Sequence, residues 1–327
     1  MNRVVQPDDL EQDLARIRAL AAGEGAGLFG PGSLSWRVCR ESAVFLAGGR
    51  ALLLQLAHPW VAAGVAKHSS TLADPIGRFH RTFAIMFTLV FGSLEQAIAA
   101  ARRLNRRHAS VHGTLPWAAG RFAQGSSYAA NEASALRWVH ATLVESALIS
   151  HDLVLPPLTA AERERYYGES RLMAAMFGLR SEDLPPTWEA FRIDTSAQWK
   201  SGDVAVTPAA RRMAEQVLAG GASRLRPPGW YRALTVRLLP EEACRGFDLP
   251  IRDRDRRLCD RMLLVLRRIY PAAPARLRTV GPYQEAMARV SRGAGPDLLT
   301  RGLNRLWIGQ PAMPDAAPAV GTRRAVG

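Results

Sequence analysis

The sequence is poor in cysteine. Cys39, Cys244 and Cys259 are the only three among 327 residues, and their spacing matches no metal-ligand motif. An odd number of separated cysteines argues against a disulfide framework and a zinc knuckle, and it suits a reducing compartment. The start of the chain, MNRVVQPDDLEQDL, is acidic and amphipathic, unlike a signal peptide. We therefore expect a cytoplasmic protein.

Strand signals are missing as well. No convincing stretch alternates apolar and polar residues, and no Asn-Gly or Asp-Gly pair marks a hairpin. Helix signals are dense, because three places have the spacing of N-terminal caps: Ser93 with Gln96, Thr159 with Glu162, and Thr207 before Pro208. The sequence predicts an all-α fold, a single large globular domain of about a dozen helices over residues 1–308. Residues 309–327, rich in Pro, Ala and Gly, are expected to form a disordered tail.

No uninterrupted hydrophobic run is present. The most apolar stretch, residues 43–66, is long enough to span a bilayer, but Gly48-Gly49-Arg50, Gln55 and His58-Pro59 interrupt it. It therefore favours buried helices over a membrane span.

Acidic residues are outnumbered, and the net charge is +14, mainly from arginine. This charge suggests an anionic partner such as a membrane surface, a nucleic acid or an acidic cofactor, although basic side chains can also simply solvate helix faces. No basic run is interleaved with aromatic residues and no nucleic-acid motif occurs, so nucleic acid is not an expected partner.

Several catalytic signatures are also absent. The chain has no H-E-x-x-H zinc motif, no G-x-G-x-x-G or P-loop phosphate motif, and no G-x-S-x-G nucleophile elbow. The chemistry must be sought elsewhere, and the histidines are the first candidates.

All seven histidines lie between residues 58 and 151. If residues 94–112 form one helix, His108 falls in the middle of its apolar stripe and His112 on the flank. The same projection places His140 on the apolar face of a second helix. A buried imidazole stays neutral, and a neutral imidazole is a good ligand for iron or zinc. The alternative is a core histidine hydrogen-bonded to a carbonyl group.

The opposite face of the first helix is basic. Its arginines are expected to be exposed and to favour contact with an anionic membrane: Arg102, Arg103, Arg106 and Arg107.

A second polar group interrupts the apolar segment GRFHRTFAIMFTLVFG. Arg78, Arg81 and Thr82 stand at positions i, i+3 and i+4, on the same helical face as Ile85 and Leu89. Guanidinium groups along a core face need an anion. Asp74 or Glu95 could supply it, the side chains could end at the surface, or the carboxylates of a cofactor such as haem could pair with them.

An ordered series of motifs then carries a resemblance to a known family. GGRALLLQLAHPWVAAGVAKHS, DPIGRFHRT, FG, RRHASVHG, WVHATLVES and LTAAERERYYGESRLMA follow one another between about Phe45 and Leu249. This series resembles the bacterial MpaB-type oxygenases, which share their catalytic domain with the latex-clearing rubber oxygenases. The resemblance implies an all-helical haem b protein that uses dioxygen.

The resemblance also implies roles for single residues. The histidine that ligates the haem iron in the rubber oxygenases corresponds to His108, and their distal Arg-x-x-Lys-Thr motif corresponds to Arg78, Arg81 and Thr82. Arginine replaces lysine at Arg81 and keeps its proton, so neither lysine ligation nor polyisoprene cleavage carries over. His58 and His140 are weaker candidates for the haem pocket, with a structural role at least as well supported.

The expected function is a haem-dependent oxygenase acting with O2 on a hydrophobic small molecule, such as an isoprenoid, a lipid or a natural-product intermediate. It would work in the cytoplasm, with peripheral membrane association as an option. Two alternatives remain open: a cofactor-free helical protein that binds hydrophobic ligands, and a non-haem metal hydrolase using His108, His112 and a carboxylate.

Overall fold

A computed structural model describes residues 3–21, 25–68, 74–220 and 226–316. Within these ranges it contains sixteen α-helices, which confirms the all-α class. The first eight are α1 (Pro7–Leu20), α2 (Leu34–Cys39), α3 (Gly48–Leu56), α4 (Pro59–His68), α5 (Pro75–Phe91), α6 (Leu94–Ala109), α7 (Ala133–Val154) and α8 (Ala160–Ala175). The others are α9 (Trp188–Ser201), α10 (Pro208–Leu218), α11 (Gly229–Leu238), α12 (Glu241–Phe247), α13 (Asp253–Ala272), α14 (Ala275–Arg278), α15 (Gly281–Arg292) and α16 (Leu298–Ile308).

The sheet described in the structure is a short antiparallel pair. Strands β1 (His112–Thr114) and β2 (Ser127–Ala129) pair with Gly113 opposite Tyr128. This is an incidental hairpin, and the fold remains helical.

The predicted helix caps are present. The Ser93 hydroxyl accepts the backbone N–H of Gln96 at 3.3 Å, and the Gln96 side chain accepts the N–H of Ser93 at 2.9 Å. Thr159 and Glu162 form the same reciprocal pair, and Thr207 caps α10. These bonds satisfy amide groups that the helix itself leaves unpaired, which explains why α6, α8 and α10 begin where the sequence predicts.

The apolar stretch at residues 43–66 is broken into short buried elements: a 3₁₀ turn (Ser42–Ala47), α3 and α4. Its one basic residue, Arg50, is buried and donates to Glu145 at 2.9 Å and to Ser146 at 2.8 Å. Among the residues that the structure describes, no helix has the length and apolar character needed to cross a membrane.

Helix α7 lies at the centre of the helical packing, in contact with α2, α3, α8 and α13. Trp138 on α7 is buried and donates its indole N–H to the carbonyl of Leu54 on α3 at 2.7 Å. This bond satisfies the polar end of a large apolar side chain and fixes α3 against α7.

Helix α5 carries a row of phenyl rings at i, i+4 spacing, namely Phe79, Phe83, Phe87 and Phe91. Phe45 packs edge-on against Phe83, and Trp307 of α16 stacks on Phe45 with ring centres 4.3 Å apart. The C-terminal helix α16 is therefore joined to α5 through aromatic contacts.

Residues 309–316 differ from the expected disordered tail. Met313 is buried, and its N–H donates to the buried carboxylate of Glu285 at 3.0 Å. The Glu285 carboxylate also accepts from Asn304 at 2.7 Å. Proline and alanine content alone cannot reveal such anchors, and one buried methionine with a backbone hydrogen bond suffices to order the segment. Residues 317–327 lie outside the described part of the chain.

Candidate active site

His108 lies in the last turn of α6. The N-terminal capping box starts this helix, and Ala97 and Ala101 on its apolar stripe are fully buried. The helix ends at Ala109, and the carbonyl of His108 accepts the N–H of Val111 at 2.8 Å. The His108 side chain is half-buried, so the predicted position on the inward face is also the observed one.

The His108 ring is neutral at pH 7. Burial lowers its pKa from 6.5 to about 4; a hydrogen-bonding contact with the side chain of Asn131 acts in the opposite direction, and the nearby charge of Arg107 lowers the pKa again. A neutral imidazole keeps one unprotonated nitrogen, which is what a metal ion requires of a histidine ligand.

Asn131 is a site residue that sequence reasoning missed. It is buried, and its side-chain N–H donates to the carbonyl of Asn105 on α6 at 3.1 Å. Its backbone carbonyl accepts the N–H of Val5 at 2.8 Å. With the amide nitrogen held by Asn105, the amide oxygen is left to accept an N–H from the His108 ring. Partners of metal-binding histidines commonly fix the ring orientation through such a contact and leave the second nitrogen for a ligand.

His112 does not lie on the flank of α6. The helix has ended, and His112 begins β1, where it pairs with Ala129 and has an exposed side chain. Its carbonyl oxygen is 3.2 Å from the ring nitrogen Nε2 of His68 at the end of α4. The helical projection through residue 112 was therefore wrong, because strand pairing overrides the helical period after Ala109.

Arg78, Arg81 and Thr82 lie in the first half of α5. Pro75 is the first residue of this helix, and the side chain of Asp74 caps it by accepting the N–H of Gly77 at 2.9 Å. Arg78 is half-buried, whereas Arg81 and Thr82 are exposed, in line with the alternative that these side chains end at the surface. This face of α5 lies at the surface in the first turns of the helix and becomes buried further along it.

Two charged groups of this region are directly paired. Arg81 donates to Asp74 at 3.0 Å, as one of the sequence alternatives proposed. The hydrogen bond from Gly77 and the contact with Arg81 hold the pKa of Asp74 below its ordinary value. Burial lowers the pKa of Arg78, and so does the neighbouring charge of Arg81.

The helical pair α5–α6 brings Arg78 and His108 to the same end of the pair. The two helices pack together and are joined only by Gly92 and Ser93. Such a short connection makes the helices antiparallel neighbours. Arg78 and His108 are about equally distant from this turn along their helices, so both lie at the opposite end of the pair.

His58 and His140 are buried in other surroundings. His58 accepts the N–H of Trp60 at 3.3 Å through Nδ1, and His140 lies 2.9 Å through Nε2 from the carbonyl of Ser170 on α8. Burial lowers the pKa of each to about 4. The remaining ring nitrogen of each, Nε2 of His58 and Nδ1 of His140, has no hydrogen-bond partner among the described residues.

The metal-hydrolase alternative requires a third ligand beside His108 and His112. Within the described ranges, no three His, Cys, Asp or Glu side chains are grouped so that they could hold a metal ion. A haem iron needs only one ligand from the protein, and a single histidine nitrogen can supply it.

Comparison with known proteins identifies the family. No curated protein and no solved structure matches the chain significantly. Residues 36–268, well over half of the chain, match the sequence profile described as ER-bound oxygenase mpaB/B'/rubber oxygenase, catalytic domain. The matched range contains α5, α6 and every residue of the candidate site described above. The chain therefore belongs to the MpaB/rubber oxygenase family and is an oxygenase enzyme.

Proposed function

We propose that this oxygenase uses haem b and that His108 ligates the haem iron. The observation that carries the proposal is the His108 ring, which is half-buried, neutral and in contact with the Asn131 side chain within the family's catalytic domain. Bound haem would supply the redox chemistry with which the enzyme uses dioxygen. The protein residues would bind and orient the reactants and stabilise charge.

Asn131 would act through His108. By accepting the ring N–H, the amide oxygen selects the tautomer whose unprotonated nitrogen points away from Asn131. The Asn105 carbonyl holds the amide of Asn131 in the orientation that this requires. Such partners set the direction and the basicity of a ligating histidine.

Arg78 is the best-placed cation for the opposite side of the site. Its guanidinium is half-buried, and arginine keeps its proton in proteins. It would stabilise negative charge that develops during the reaction, or pair with the haem propionates. The Thr82 hydroxyl would donate a hydrogen bond, and Arg81 would add positive charge while paired with Asp74.

His58 and His140 would border the pocket. Each has a buried nitrogen without a partner among the described residues, a donor in His58 and an acceptor in His140, and an unpaired buried polar atom is costly unless a ligand or water meets it. A structural role for both is equally compatible with their bonds to Trp60 and Ser170.

The substrate would be a hydrophobic small molecule, such as an isoprenoid, a lipid or a natural-product intermediate. Arg78 is followed on α5 by the phenyl rings of Phe79 and Phe83, which are only half-buried and cluster with Phe45. Half-buried aromatic rings beside a charged group would offer an apolar body and a polar end to such a molecule.

The proposed setting is the cytoplasm, with peripheral contact to anionic membranes. The three cysteines are free, which suits a reducing compartment. Arg106 and Arg107 are exposed, whereas Arg102 is engaged by Glu11 at 2.6 Å. The catalytic unit would comprise residues 1–308, because α15 and α16 pack on α5 although they follow the matched range.

The test is an absorption spectrum of protein expressed with ample haem. The unaltered protein should show a Soret band, and His108→Ala should lower haem content while the far-ultraviolet helical signal survives. His112→Ala, at an exposed strand position, is the matched control and should retain haem. Asn131→Ala should retain haem but change the ferric spectrum, because the ligand loses its orienting acceptor.

Substitutions on α5 separate haem binding from reaction. Arg78→Ala should keep more haem than His108→Ala and lose oxygen consumption with an isoprenoid such as squalene. If His108→Ala leaves the spectrum unchanged while His140→Ala abolishes it, the ligand is His140. If no histidine variant changes the spectrum, or no Soret band forms, the haem proposal is wrong.

A further inference from the structure

A cavity of about 480 Å³ lies where α14, α15 and the start of α16 meet the end of α2. Its volume is in the range of small-molecule sites. The side chain of Met287 and the ring of Tyr283 contribute apolar wall, and Asp297 is the one carboxylate that lines it. Four arginines face it: Arg40, Arg276, Arg278 and Arg292. All lining residues except Arg40 lie beyond residue 268, outside the matched catalytic domain.

Two of these arginines share one buried carboxylate. Arg40 and Arg278 each approach Glu41 through Nε, at 3.2 Å and 2.9 Å. Their Nη1 atoms contact the Tyr283 hydroxyl and the Pro271 carbonyl. The Nη2 atom of each has no hydrogen-bond partner among the described residues. One carboxylate between two guanidinium groups therefore leaves a positive charge and two unused donor atoms.

The same two arginines line a second, smaller cavity of about 110 Å³. Its wall also includes Arg37, His151 and Glu41, the carboxylate that the two arginines share. The two cavities thus share Arg40 and Arg278 in their walls. A ligand with an apolar body and a compact anionic end matches this combination of spaces.

The remaining arginines reinforce the charge. Arg276 pairs with Asp297 at 3.0 Å, which neutralises the one carboxylate of the larger cavity. Arg292 is exposed at the end of α15 and forms no ion pair with any described residue. Among the described residues, the guanidinium of Arg292 and one positive charge of the two arginines at Glu41 remain uncompensated.

We propose that this cavity binds an anionic amphiphile, a molecule with a carboxylate or phosphate group on a short apolar chain. The head group lies against Arg40, Arg278 and Arg292, whose planar donors suit oxyanions. The chain lies against Met287 and Tyr283. This site is separate from the proposed haem site, and the proposal stands whether or not the protein binds haem.

The test is calorimetric titration of the full-length protein with octyl phosphate, octanoate, inorganic phosphate and octanol. Octyl phosphate or octanoate should bind saturably at one site, and whichever binds more tightly identifies the head group. Octanol and inorganic phosphate should bind at least roughly tenfold more weakly, because each lacks one of the two recognised parts. Arg292→Gln removes an exposed side chain without an ion pair, so it should fold normally and weaken binding by roughly tenfold.

Arg212→Gln is the matched control, since Arg212 is exposed on α10 and does not line the cavity. It should bind the probes as the unaltered protein does. Absence of saturable binding, equal affinity for octanol and octyl phosphate, or equal weakening by Arg212→Gln and Arg292→Gln would each overturn the proposal.

Discussion

Acidification from pH 6.5 to pH 5 should destabilise this protein through buried histidines; His108 shares the lowered pKa, and His58 and His140 are the two that are almost fully buried. His58 and His140 are each only 1% exposed, and burial lowers the pKa of each from 6.5 to about 4. In the unfolded chain both rings contact water and titrate near 6.5. The unfolded state therefore binds more protons than the folded state throughout this interval.

Proton linkage gives the sign and the size of this change in the free energy of unfolding. Stability is fully present above pH 6.5, falls as the pH falls below that value, and the loss is complete near pH 4. Between pH 6.5 and pH 5 each ring lowers the free energy of unfolding by about 1.6 kcal/mol. Two rings together remove about 3 kcal/mol, a large part of the 5–15 kcal/mol typical of a folded domain.

The assay is urea unfolding followed by circular dichroism at pH 6.5, 5.75 and 5. His140→Gln is the key variant, because its amide N–H can still donate to the Ser170 carbonyl but the side chain does not titrate. It should lose about 1.6 kcal/mol less than the unaltered protein across the interval. His140→Leu removes the hydrogen bond to the Ser170 carbonyl, which keeps its bond within α8, so it should be less stable by about 0.5–1.5 kcal/mol at every pH while showing the same reduced pH dependence.

The outcome that refutes this reasoning is equally specific. If His140→Gln and the unaltered protein lose stability in parallel from pH 6.5 to pH 5, then His140 titrates alike in the folded and unfolded states. The argument that burial keeps it neutral would then fail.

Two further predictions concern the tail and the basic surface. Gly309 has φ +72°, and a Cβ there would lie 2.7 Å from the His80 ring. Gly309→Ala should therefore lower the free energy of unfolding, measured in thermal melts, more than Gly293→Ala does, because Gly293 has φ +62° but open space around it. Equal losses would show that the His80 contact is unimportant. Replacing both Arg106 and Arg107 by Gln should weaken sedimentation with anionic vesicles, by roughly 1 kcal/mol for each arginine, and unchanged binding would mean that these residues form only a solvated face.

The helical class and the helix starts were predictable because their causes are local. Ser93, Thr159 and Thr207 each satisfy the amide group three residues later, and a cap of this kind needs no distant partner. The inward position of His108 followed from the same short-range periodicity. Each of these features depends on residues that lie close together in the sequence.

The features that the sequence did not predict depend on contacts between residues far apart in the chain. His112 left the helical period because β1 pairs with β2, which follows after an intervening loop. Asn131 reaches Asn105 across 26 residues of chain, and no local pattern marks it as the orienting partner of His108. The segment around Met313 is ordered by Glu285, a contact between residues 28 apart. Periodicity could not anticipate any of these contacts.

The α5 residues show why position on one helical face does not assign equal roles. Arg78, Arg81 and Thr82 share a face by spacing, but only Arg78 is half-buried, and Arg81 is paired at the surface with Asp74. A charge that keeps its contact with water stabilises a reaction less than a partly desolvated one, because water screens it. If α5 contributes a cation to the reaction, Arg78 should therefore contribute more than Arg81. Loss of activity without loss of haem should accordingly be larger for Arg78→Ala than for Arg81→Ala.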